Sequence, residues 1–190
     1  EPGRFVFFAR AGVIVPTNNP PTANADGPYF VPEGGSVVLT GSGSDPDGDA
    51  ITFSWDLDNN GSFETPGQNP TFSAAGRDGP GTQTVVLRVC DTSNVCATSS
   101  STVNIGNVPP TITSVTAISP INEGSSATVT VNATDPAGLL DPLSYEFDCD
   151  NNFAYEIGPQ ASKMASCFYA DNGGFPLNVL VSDGDGGFAT

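Results

Sequence analysis

The sequence contains no histidine, one methionine and one tryptophan in 190 residues. Without histidine there is no Ser-His-Asp or Cys-His arrangement for nucleophilic catalysis. A zinc site would have only cysteine and carboxylate ligands, and the C-x-x-C pattern is missing. Cations are also scarce. Arg4, Arg10, Arg77, Arg88 and Lys163 stand against 21 acids, for a formal net charge of −16. Such a surface repels phosphate backbones and anionic lipid, so nucleic acid is excluded as a partner, and it attracts divalent cations. No apolar run approaches the ~20 residues a helix needs to span a bilayer, which argues against membrane insertion. No stretch keeps apolar residues at i, i+3, i+4, i+7, so no long helix is expected. There is no initiator methionine and no signal-peptide pattern, which predicts a mature product or a fragment.

Turn formers and short apolar runs are plentiful. The chain has 22 glycines and 17 prolines, with Ser, Thr, Asn and Asp crowded between strand-like segments. That composition predicts an all-β protein, and the length suits two domains of about 90 residues each. The acids gather in turns and form no tail-like block, as in folded loops. Four cysteines, Cys90, Cys96, Cys149 and Cys167, allow three pairings, of which one pair per half is the simplest. Two disulfides would imply an oxidising compartment.

Laid on itself at an offset near 90, the chain repeats. Asn-Pro-Pro-Thr (19–22) returns as Val-Pro-Pro-Thr (108–111), and Pro-Glu-Gly-Gly-Ser (32–36) as Asn-Glu-Gly-Ser-Ser (122–126). Ser-Asp-Pro (44–46) returns as Thr-Asp-Pro (134–136), and Trp-Asp-Leu-Asp-Asn-Asn (55–60) as Phe-Asp-Cys-Asp-Asn-Asn (147–152). Glu64 and Glu156 close the latter loops. Two-residue alternation predicts strands at Val37–Thr40, Ile51–Trp55, Thr84–Val89 and Thr102–Ile105 in the first repeat. In the second it predicts Ala127–Val131, Leu143–Phe147 and Leu177–Val181. Trp55, in a central strand, is expected in a core.

The opening Pro-Pro-Thr-Ala, the Glu-Gly turn, Ser-Asp-Pro-Asp-Gly-Asp (44–49) and Ser-Trp-Asp-Leu-Asp (54–58) resemble the PKD (polycystic kidney disease) domain family. The resemblance covers 19–107 well and 108–190 less well. The family's usual Trp-Asp-Phe-Gly-Asp-Gly stands here only as Trp-Asp-Leu-Asp-Asn-Asn-Gly (55–61), and the second repeat lacks the Trp. The resemblance implies two tandem immunoglobulin-like (PKD-like) β-sandwiches, at 19–107 and 108–190. It also implies spacers or binding modules of secreted or cell-surface proteins, not enzymes.

The two ends of the repeat do not match. The first domain runs past Cys96-Ala-Thr into a last strand, whereas the second stops at Phe-Ala-Thr (188–190). Residues 1–18 have no place in the first domain. Phe5 to Val15 reads as one long strand with Phe5, Phe7, Ala9, Ala11, Val13 and Val15 on an uncharged face. A sandwich short of an edge strand exposes an apolar groove and unpaired backbone groups. Strand addition would satisfy both. The segment 16–18 reaches only about 10 Å, against roughly 40 Å for a sandwich, so the donor would serve a neighbour. This predicts a subunit of an extracellular filament, polymerising head to tail with copies of itself by donor-strand complementation. A longer protein cut inside a strand would show the same surplus and deficit. The chain would then be a spacer or binding module, recognising carbohydrate or a surface protein.

The acidic turns are the candidate ligand sites. Asp45, Asp47 and Asp49, then Asp56, Asp58 and Asn60, place oxygens at alternate positions of a curling backbone, which suits Ca2+. Asp148, Asp150 and Asn152 repeat the second set, while Asp135-Pro-Ala-Gly replaces the first. Equally, Asp, Asn and Gly are turn formers. Asp183-Gly-Asp-Gly-Gly (183–187) is expected as a hairpin turn. Asn60-Gly-Ser and Asn132-Ala-Thr match the glycosylation pattern, as chance allows in a Ser/Thr-rich chain.

Overall fold

The computed structural model describes residues 17–190. The donor segment with Phe5, Phe7, Ala9, Ala11, Val13 and Val15 lies outside the described residues. Two apolar cores form, one for each repeat.

The first domain holds β1 (Tyr29–Pro32), β2 (Ser36–Val38), β3 (Thr52–Asp56), β4 (Thr65–Pro66), β5 (Thr71–Ser73), β6 (Gly81–Cys90) and β7 (Cys96–Gly106). One sheet runs in the order β1-β7-β6-β3-β4, and β2 pairs with β5 in the other. Along β6 the burial alternates with the sequence. Val85, Leu87 and Val89 are fully buried, and Val86 and Arg88 between them are not. Leu39, Phe72 and Ala74 from the opposite layer join them around Trp55, which has no exposed surface. The Trp55 indole donates from Nε1 to the Gln68 carbonyl at 3.1 Å, so its one polar atom is paired inside the core. Gly41 makes room for the ring, since a Cβ there would lie 2.9 Å from Trp55 Cζ2. Tyr29 pins the entering chain: its hydroxyl donates to Ala25 O at 2.7 Å and accepts from Thr40 N at 2.9 Å. β1 then runs parallel to the end of β7, from Tyr29 opposite Val103 to Pro32 opposite Gly106.

The second domain holds β8 (Thr111–Ala117), β9 (Ser125–Thr134), a 3-10 turn (Gly138–Leu140), β10 (Ser144–Asp148), β11 (Ile157–Gln160), β12 (Met164–Tyr169), β13 (Asn178–Ser182) and β14 (Phe188–Ala189). Its sheets are β11-β10-β13-β14 and β12-β9-β8. Val129 and Val131 from one layer meet Phe147 and Val181 from the other, all without exposed surface. The cysteines pair one to each domain, Cys90 with Cys96 and Cys149 with Cys167.

Val37–Thr40, Ile51–Trp55, Leu143–Phe147 and Leu177–Val181 appear within two residues of their expected bounds, and Ala127–Val131 is the inner part of β9. Thr84–Val89 and Thr102–Ile105 are corrected: they are the inner parts of β6 and β7, which pair over ten residues from Gly81–Ile105 to Cys90–Cys96. The Ser/Thr-rich flanks carry little apolar alternation, yet threonine suits an exposed pleated face, so the ladder continues through them. In the second domain the 190 residues end one position past β14 (Phe188–Ala189). β14 pairs only with Val181 and Ser182, through Ala189 and Phe188. No strand corresponding to β1 forms among residues 118–123. An open groove lies there, lined by Ile118, Ile121, Ala127, Tyr169, Phe175 and Leu177.

Residues 107–110 connect the domains. Glu33, in the turn after β1, is buried and accepts from Val108 N at 2.9 Å with one oxygen and from Gly79 N at 2.8 Å with the other. The connection is therefore held to the body of the first domain.

Candidate cation sites

The β3–β4 loop of the first domain and the β10–β11 loop of the second are built alike. Buried Asp56 accepts from Asn60 N at 3.2 Å and from Gly61 N at 2.8 Å. Asp58 accepts from Asn60 N at 3.2 Å and from Asn60 Nδ2 at 2.9 Å, and Asn60 Oδ1 from Ser62 N at 2.7 Å. In the second domain Asp148 accepts from Asn152 N at 3.2 Å and Phe153 N at 3.0 Å. Asp150 accepts from Asn152 N at 3.2 Å, and Asn152 Oδ1 from Ala154 N at 2.7 Å. Burial pushes the Asp56 carboxyl up. Backbone hydrogen bonds from Gly61, Asn60 and Asn59 outweigh it and leave the group below its ordinary 3.8. Asp148 is lowered in the same way, burial opposing backbone donors from Phe153 to Asp150. These carboxylates organise their own turns. Each loop also brings a third acid close: Asp56, Asp58 and Glu64 have one oxygen each within 4.8 Å of the others, as do Asp148, Asp150 and Glu156.

The remaining predicted ligands behave differently. Asp45 accepts from Asp47 N at 2.8 Å and Asp49 N at 3.3 Å, closing the turn between them. Asp47 faces the entering chain and accepts from Asn19 N at 2.6 Å and Asn19 Nδ2 at 2.9 Å. Among the described residues, Asp45, Asp47 and Asp49 belong to no close group of three acids. Asp183 begins a hairpin turn as expected, its Oδ1 accepting from Asp185 N at 2.9 Å and Gly187 N at 2.7 Å.

A larger acidic cluster, which no motif announced, occupies the junction between the domains. Glu33 and Asp78 of the first domain come within 4.8 Å of Asp141 of the second, oxygen to oxygen, and Asp135, Asp141 and Asp183 form a second such group. Asp141, 1% exposed, belongs to both. Its Oδ1 accepts from Gly184 N at 3.0 Å. Asp135 Oδ1 accepts from Ala137 N at 2.8 Å. From the connection, Asn107 Nδ2 donates to Asp183 Oδ2 at 3.0 Å. Four buried oxygens around this point have no hydrogen-bond partner: Asp78 Oδ1, Asn107 Oδ1, Asp135 Oδ2 and Asp141 Oδ2.

Electrostatics opposes this crowd. Two like charges 4 Å apart repel by about 1 kcal/mol in bulk water and about 4 kcal/mol at an effective dielectric of 20. Burial, then the charges of Asp185, Asp141, Asp135 and Asp183, push the Asp78 carboxyl above its ordinary 3.8. Asp135 is raised too, by burial against the pull of Ala137 N and with the push of Asp141 and Asp183. Asp183 is lowered, because its hydrogen bonds from Asn107 and the 185–187 backbone outweigh burial. The three described cations lie elsewhere. Arg77 stacks on Phe72 at 5.2 Å and donates to Gln83, Arg88 stacks on Phe63 at 4.2 Å, and Lys163 donates to Asn132 at 3.0 Å.

Residues 18–106 match the bacterial Ig domain family, and the chain is a tandem of Ig-like β-sandwiches. Chitinase A of Pseudoalteromonas piscicida is 33% identical over 178 residues, covering 88% of this chain. The chain spans about a fifth of that relative's length, 20%. Among solved structures, the PKD domain of an M14-like peptidase from Thermoplasmatales archaeon SCGC AB-540-F20 is 25% identical, covering 47% of this chain and 99% of that one, with a TM-score of 0.37. The IG1+IG2 unit of DIP-gamma is 13% identical, covering 90% and 94%, with a TM-score of 0.42. The bacterial Ig family is a non-catalytic module type. Among the described residues, no helix is long and apolar enough to cross a membrane.

Proposed function

We propose that this chain is a non-catalytic connecting module of a larger secreted protein, holding other parts of a polysaccharide-acting polypeptide apart outside the cell. The observation that carries this is the alignment of 88% of the chain, both sandwiches together, with 20% of a chitinase. The two disulfides support an oxidising compartment. The carboxylates of the β3–β4 and β10–β11 loops support a structural role, being committed to their own turns. As a module, the chain takes its partners from what adjoins it, and carbohydrate is the substrate class of the whole.

The filament reading retains one observation. Within the 190 residues, β14 pairs with Val181 and Ser182 of β13, and Asn178 to Leu180 have no strand on that side. Continuing polypeptide would fill that edge as well as a second copy would, which favours the connecting module.

The test incubates the 190-residue chain with crystalline chitin and chito-oligosaccharides, and images it at rising concentration. The expected result is no hydrolysis, no retention on chitin and no fibres. Retention would make it a binding module, hydrolysis an enzyme, and fibres a filament subunit; each outcome overturns the proposal.

A further inference from the structure

We propose that the junction between the two sandwiches is a Ca2+ site, formed by Glu33 and Asp78 of the first domain, Asn107 of the connection, and Asp135, Asp141 and Asp183 of the second. This inference stands independently of the connecting-module reading.

The first ground is composition. Five carboxylates from four separate stretches of chain converge in two groups that share Asp141, with oxygens within 4.8 Å in each group. The second ground is independent of charge. Asp141 is 1% exposed and presents Oδ2 to the cluster with no donor, and Asp78 Oδ1, Asn107 Oδ1 and Asp135 Oδ2 are likewise buried and unpartnered. Buried side-chain oxygens are normally paired, and four orphans around one point call for a shared partner. One other such atom occurs among the described residues, Asp45 Oδ2 in the first acidic turn, so the defect is concentrated at the junction.

A cation supplies what all of them lack. The donor set is oxygen only, with no sulfur and, in a chain without histidine, no imidazole. Zinc favours nitrogen and sulfur. Ca2+ takes six to eight oxygens in flexible geometry, whereas Mg2+ demands a near-ideal octahedron and keeps its waters. Carboxylates and an amide carbonyl drawn from two domains and a connection suit the former. The remaining oxygens are already oriented by backbone donors, Glu33 by Val108 N and Gly79 N, and Asp183 by Asp185 N and Gly187 N. The walls of the site are therefore set by the fold. Binding there would tie the domains together, because Glu33, Asp78 and Asn107 come from the first domain and the connection, and Asp135, Asp141 and Asp183 from the second.

The test titrates CaCl2 into the chelator-treated 190-residue chain by calorimetry and records thermal unfolding with and without the ion. Extracellular modules bind Ca2+ in the range of about 10⁻⁴ to 10⁻³ M. At 10 mM Ca2+ the melting temperature should rise by about 5–10 °C, and Mg2+ at equal concentration should do less. Asp141→Asn should weaken Ca2+ binding by at least about tenfold. It should also raise the melting temperature of the ion-free protein, since a repelling charge is gone. That opposite pair of effects separates lost binding from failed folding, and Asp78→Asn, at a half-buried position, provides the second variant. Asp58→Asn and Asp150→Asn, in the two sequence-evident loops, should leave the Ca2+-dependent shift in place. Absence of binding up to 10 mM, binding unchanged in both junction variants, or a shift abolished only by the loop variants would overturn the proposal.

Discussion

The two sandwiches arise from one repeated sequence but close their cores differently. In the first, β7 pairs over ten residues with β6 and accepts β1 in parallel on its other side. In the second, no strand corresponding to β1 forms among residues 118–123, and a groove lies there beside Tyr169 and Phe175, whose rings stack 4.7 Å apart. The cores differ in step: Trp55, Phe72, Leu39 and Leu87 lie fully buried in the first, against Phe147 as the one comparably large side chain in the second. The covalent ties differ as well. Cys90 and Cys96 close a loop of sequence separation 6 at the base of a hairpin, whereas Cys149 and Cys167 are 18 apart and join the end of β10 to β12 in the facing sheet. The first bridge is local to one hairpin, whereas the second ties the two layers of its sandwich together.

The strongest way to break that comparison is to empty each core. Trp55→Ala and Phe147→Ala should each cost about 3–5 kcal/mol. The second domain has fewer large buried groups to compensate, so Phe147→Ala should leave it unfolded at 37 °C while the first remains folded. Heteronuclear NMR spectra of the two variants would separate the outcomes, and equal losses would contradict the ranking.

Next in size are the disulfides. Loop-closure entropy assigns about 3 kcal/mol to the Cys149–Cys167 bridge and about 2 kcal/mol to Cys90–Cys96. Replacing each pair by serine and following urea unfolding should show the larger loss in the second domain. Trp55, the only tryptophan, reports on the first domain alone, so its fluorescence should hardly respond to the second replacement.

Acid should sharpen the likeness between the loops. Asp56 and Asp148 both have folded values below their ordinary 3.8. Their contribution is complete above 3.8 and is lost as pH falls through the lower folded value. Urea midpoints measured from pH 5 to pH 2 should decline for both domains, and Asp148→Asn should flatten the decline in the second only.

The smallest effect concerns one residue. Phe153 holds φ at 69° and is exposed, where the first domain places Gly61 at φ 90°. A bulky side chain is strained in that region, and glycine is not. Phe153→Gly should raise the second domain's melting temperature by a few degrees, with no matching gain available in the first.

How much could be read in advance follows the same division. The repeat, the alternating strands and the burial of Trp55 were visible because local patterns encode them. The one-pair-per-half disulfides were the simplest of three options, and the fold agrees. β8 and β12 escaped notice. Thr111-Ile-Thr-Ser-Val has an exposed face rich in Ser and Thr, and Met164-Ala-Ser-Cys-Phe buries small Ala165 and Cys167 while exposing Met164 and Phe168. Asp56 and Asp58, like Asp148 and Asp150, lie close together at their predicted spacing, with Glu64 or Glu156 as the third acid, while the Asn60 and Asn152 side-chain oxygens close the turns. The junction did not show itself, since Glu33, Asp78, Asp135, Asp141 and Asp183 are distributed over two repeats with no motif. A signal existed nonetheless: Glu33 follows Pro32 in a turn of the first domain, and Asp135 and Asp183 sit in turns of the second. Only strand order puts those turns at one end of each sandwich, facing the connection.

The central claim, a connecting module rather than a polymer subunit, is tested most directly by sedimentation velocity on the 190-residue chain over a hundredfold range of concentration. The account predicts one species at 19.4 kDa throughout. A sedimenting mass that climbs with concentration through integer multiples of that value would contradict it.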